Sequence, residues 1–140
     1  MGRACGHVPA SLRRCRVKET STLAAWRKDL AERIHRDAWV LECVARDVPR
    51  FRFLLGVVAY LRDEASSVAR SSMRDPATWL ACAQRRLGAP YATVRSLLQE
   101  PGSATGDLRE VAADLFAVLC EIDELRTLLS TPTVCAGGTA

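Results

Sequence analysis

The stretch 107-DLREVAADLFAVLCEIDELRTLLS-130 decides how this chain is built. Leu108, Val111, Leu115, Val118, Ile122, Leu125 and Leu129 recur at alternating three- and four-residue steps, the spacing that places side chains on one face of a helix. Such a stripe gains its free energy only when another apolar surface removes it from water, so the helix is built to lie along other helices. Ala112 and Leu119 broaden one side of the stripe, Leu128 the other, and Phe116 adds bulk beside Leu115. That width exceeds the seam of a two-stranded coiled coil and suits the interior of a bundle. Asp107 reads as the cap of this helix, with Glu110 completing a capping box.

The rest of the chain supplies the partners. Pro101-Gly102-Ser103-Ala104-Thr105-Gly106 is a loop. Further back, Leu23, Trp26, Leu30, Ile34, Ala38, Leu41, Ala45 and Val48 form one stripe over 22–48, capped by Ser21 or Thr22 and ended by Pro49. A break near Asp37 would divide it into two shorter helices. Residues 51–73 are apolar nearly all round, which predicts a central helix, with Gly56 admitting a neighbour closely. Asp75-Pro76 starts a short helix that ends at Gly88, and a second short helix follows over 90–100. The reading is all-α: a compact bundle of five to six helices, three of them long, within a single domain over 21–131. Residues 1–20 read as a flexible, disordered basic arm and 132–140 as a disordered tail.

Charge is unevenly distributed. Arg3, Arg13, Arg14, Arg16 and Lys18 stand in the arm without an acid, whereas seven acids oppose only Arg109 and Arg126 after residue 99. The simplest consequence is that the acidic last helix packs beside a basic body; a basic surface for an acidic partner is the functional counterpart. Cys43, Cys82 and Cys120 fall inside helical patterns, where free thiols act as small apolar side chains, and no secretory leader is evident. These features point to a reducing, intracellular setting, cytoplasmic or nuclear. The acid-free start also resembles a mitochondrial presequence, interrupted by Pro9. The longest apolar run, 53–61, is too short for a bilayer span.

Chemistry-bearing motifs are sparse. There is no glycine-rich phosphate loop, no G-x-S-x-G and no H-E-x-x-H, so no enzyme and no cofactor is expected. Cys5, His7 and Cys15 lack a second ligand pair for zinc. Asp63 and Glu64 are adjacent carboxylates expected to diverge and face water.

Leu80 to Leu97 (80-LACAQRRLGAPYATVRSL-97) resembles the helix-turn-helix DNA-binding family, with Gly88 at the turn and Leu87, Val94 and Leu97 at supporting positions. The resemblance implies that Tyr91, Thr93, Arg95 and Ser96 would face bases or phosphates while Arg85 and Arg86 touch the backbone. The first reading remains a non-catalytic protein–protein interaction or regulatory module, with unidentified protein partners or a second copy of itself. Its expected interface is Trp39, Val40, Leu108, Val111, Leu115, Leu119, Ile122 and Leu125. Nucleic acid is the alternative partner.

Overall fold

A computed structural model describes residues 19–72, 74–102 and 105–130. The expected arm and tail fall almost entirely outside them. Among the described residues there are four helices and no strand: α1 (Glu19–Asp47), α2 (Leu54–Arg70), α3 (Pro76–Leu98) and α4 (Gly106–Ser130), with a short 3-10 turn, Pro49–Phe51, between the first two. The all-α expectation holds, while the count of five to six does not. The first stripe forms one helix, α1 running without interruption through Asp37, where a break was only the alternative; the predicted break at Gly88–Pro90 is absent, because α3 runs through both.

Consecutive helices are neighbours and α4 closes back onto α1. The contacts are unequal. α1 packs along α2 and α3 along α4, making two hairpins; α1 and α4 join the hairpins, and α2 meets α3 only sparsely. The core is one continuous apolar cluster in which Leu30, Ile34, Leu41, Leu54, Leu61, Leu80, Leu87, Leu108, Leu115 and Ile122 are fully buried. Each such leucine or isoleucine contributes about 1.5–3 kcal/mol by leaving water.

The caps show how the ends are fixed. Asp75 accepts from the Thr78 amide at 3.4 Å and from Thr78 Oγ1 at 2.8 Å, and Pro76 occupies the first turn, where its missing N–H costs nothing. At α4 the cap is Thr105, whose Oγ1 accepts from Leu108 N at 3.0 Å, two residues earlier than the Asp107–Glu110 box expected. Asp107 instead lies within the first turn, where its charge complements the helix dipole. Gly102 adopts φ 77°, a left-handed conformation that glycine enters freely. Arg50 reaches its carbonyl at 2.7 Å, fastening the α1–α2 connection to the loop before α4.

α2 departs most from expectation. It is not central: Leu54, Val58, Leu61, Ala65 and Val68 are buried along one face, whereas Phe53 just before it and Leu55 and Tyr60 within it are exposed. A methyl group at Gly56 would meet nothing within 4 Å, so no neighbour approaches closely there. Glu64, expected in water beside Asp63, is buried. No helix among the described residues is long and apolar enough to cross a membrane. Cys43 and Cys82 are free thiols.

Candidate functional site

The sparse contact between α2 and α3 includes a hydrogen bond at a proline. Pro90 lacks an N–H, so the carbonyl of Arg86 one turn earlier loses its helical donor. Tyr60 of α2 replaces it: its hydroxyl donates to Arg86 O at 2.9 Å. Below this strut, Gly56 and Ala89 contribute almost no side-chain volume, and a groove of about 200 Å³ opens between Gly56, Val57 and Tyr60 on one wall and Ala89, Pro90 and Thr93 on the other. A second groove of about 410 Å³ adjoins it at Thr93 and continues past Phe53, Ala92, Ser96, Leu97 and Glu100. Thr93 turns its hydroxyl back to Ala89 O at 3.1 Å, leaving its methyl for the groove. Beyond Tyr60 the helices are tied by Arg86 and Glu64, 3.8 Å apart. Burial raises the Glu64 pKa, and the Arg86 charge opposes that shift.

The second concentration of polar groups lies inside the α1–α4 junction. Glu121 Oε1 accepts from Trp26 Nε1 at 2.8 Å and from Arg33 at 2.9 Å. Arg33 also faces Asp114 at 3.4 Å and Asp29 at 3.6 Å. Trp26 completes this corner by meeting Trp79 of α3 edge to face, with ring centroids 6.3 Å apart. One turn along α1, Asp37 is only 3% exposed, and its carboxyl faces that of Asp114 from α4. Burial, and then the facing carboxyl and charge of Asp114, push the Asp37 pKa up to about 10, against the pull of Arg36 and Arg33. Oδ2 of both aspartates is buried without a donor. A carboxyl pair so enclosed resembles an acid–base dyad in composition, but Asp37 offers no approach to a substrate.

The residues named from the sequence are dispersed. Leu108, Val111, Leu115, Ile122 and Leu125 are buried in the core, and Val40 and Leu119 pack against it half-buried. Trp39 alone of that set is well exposed, at 62%. It points away from the α1 stripe. The helix-turn-helix resemblance loses its turn, because Gly88 and Pro90 lie inside one helix. Tyr91 stacks on Phe116 of α4 at 5.9 Å, Arg86 is engaged with Glu64, and Thr93 lines the groove. Arg85, Arg95 and Ser96 are exposed on α3, Arg85 reaching back to Cys82 Sγ at 3.6 Å.

Sequence reasoning missed both the groove and the aspartate pair. A signal existed for the groove: Phe53 and Tyr60 stand seven residues apart, just before α2 and within it. Trp26/Arg33 and Asp114/Glu121 repeat the same interval beside their apolar stripes, which marks the polar corner but not Asp37.

The architecture is a four-helix bundle of two hairpins. No protein-family model, curated protein or solved structure matches the chain.

Proposed function

We propose that this domain is a non-catalytic protein-binding module whose docking face is the α2–α3 groove. The observation that supports this reading is the exposed apolar surface there: Phe53 is 55% exposed and Tyr60 42%, beside a groove floored by small side chains. Contiguous apolar surface bordered by polar groups is the usual mark of an interaction site, and a groove between two helices receives an apolar side chain or a helix face. The buried stripe of α4 cannot serve without unfolding the bundle, so the partner surface expected there moves to α2 and α3.

Gly56→Leu tests the reading with little risk to the fold. The position has open space around it and leucine is the better helix former, so the variant fills the groove while keeping the helix. In affinity purification from native cells, the partner recovered with the wild type is lost with Gly56→Leu and retained with Trp39→Ala. Retention with Gly56→Leu and loss with Trp39→Ala would transfer the docking face to the outer side of α1. Steep salt-dependent binding of duplex DNA that Arg85→Ala and Arg95→Ala abolish would instead favour nucleic acid.

A further inference from the structure

The α1–α4 junction carries a charge imbalance that its geometry must resolve. Asp114 and Glu121 meet one guanidinium, that of Arg33, at 3.4 and 2.9 Å, Asp29 approaches it at 3.6 Å, and Asp37, one turn further along α1, makes no ion pair with it. Three ionised carboxylates here would leave buried negative charge without a compensating cation, at a cost the interior avoids by keeping a group neutral. The carboxyl best placed to be neutral is Asp37. It is the most deeply buried of the three, and the side chain that faces it from α4 is another carboxyl. Each aspartate also has an Oδ2 with no donor, and a proton between them supplies one.

We propose that Asp37 and Asp114 form a proton-binding site in the α1–α4 seam, so that joining the α1–α2 hairpin to the α3–α4 hairpin takes up one proton. The charged groups acting on Asp37 are Asp114 from α4 and Arg36 and Arg33 from α1, with Glu121 and Asp29 acting through Arg33. From α2, Arg62 is occupied with Glu42; from α3, Trp79 meets the seam at Trp26.

The sign follows from which state holds the proton. Unfolded, Asp37 ionises near the ordinary carboxylate value; folded, it keeps its proton far above it. Stability from this site is fully present in acid and is lost as the pH climbs from about 4 toward the raised folded value. Over pH 6–8 the folded state holds one more proton than the unfolded, so the folding equilibrium constant falls by about tenfold per pH unit from this site.

The experiment is urea unfolding of the full chain at several pH values between 6 and 8, beside Asp37→Asn. The asparagine amide donates to Asp114 without a titrating proton, so the variant keeps the contact and loses the linkage. The wild type is expected to weaken steadily with rising pH, and Asp37→Asn to be more stable than wild type at pH 8 and nearly flat over the range. A second readout needs no unfolding: the side-chain carboxyl carbons of labelled aspartates at pH 7, where one resonance assigned to Asp37 or Asp114 should show a protonated carboxyl. Equal pH dependence of the two proteins, or two ionised carboxylates at pH 7, overturns the proposal.

Discussion

Pro90 survives in the middle of a 23-residue helix because a neighbour supplies what it removes. The Tyr60 hydroxyl satisfies the Arg86 carbonyl, so the two residues should be thermodynamically coupled. Tyr60→Phe is expected to cost about 0.5–1.5 kcal/mol in the wild type and much less in a Pro90→Ala background, where the new amide takes the carbonyl. A double-mutant cycle by denaturant unfolding measures this, and equal costs in both backgrounds would separate the two residues. Gly56 gives a second residue-scale prediction. Gly56→Ala should raise stability by roughly 0.5–1 kcal/mol, since helix propensity improves and the new methyl meets nothing. A loss on thermal or urea unfolding would mean that the groove is closed.

At the scale of elements, α4 was the most legible. Its stripe from Leu108 to Leu125 is buried as the spacing requires, because a period of three and four admits one orientation only. Leu115→Ala should therefore cost about 2–5 kcal/mol, against less than about 0.5 for the exposed Trp39→Ala, in paired unfolding curves. α2 and α3 were less legible for physical reasons. In α2 an apolar surface all round fits burial in a core equally well as exposure at a binding face, and periodicity does not separate them. In α3 the Gly88-Ala89-Pro90 sequence carries local signals for a turn, yet packing of Leu87, Pro90 and Val94 holds one helix through it. Tertiary contact outweighed local propensity there. The junction of Asp37 with Asp114 lay beyond reach because 77 residues separate the partners and neither lies on its helix's leucine stripe.

For the whole molecule, two hairpins meet across a polar seam on one side and a loose groove on the other. Acid and base should act on it in opposite directions. Glu42 is held below its ordinary range by hydrogen bonds from Arg46 and Arg62, so its contribution is present above that range and lost as pH falls. Asp37, held above its range, contributes fully in acid and loses that contribution as pH rises toward about 10. Stability should thus peak at mildly acidic pH, which a thermal-unfolding series across pH 4–9 would show as a maximum below neutrality.

The claim on which the molecule's reading as a binding module rests is that the groove is where a partner sits. Its most direct measurement is site-specific photocrosslinking in native cells, with the photoreactive side chain placed at Phe53 in one sample and at Trp39 in another. A discrete partner adduct is expected from position 53 that Gly56→Leu abolishes, and none from position 39. An adduct from position 39 alone, or one from position 53 that Gly56→Leu leaves intact, would contradict it.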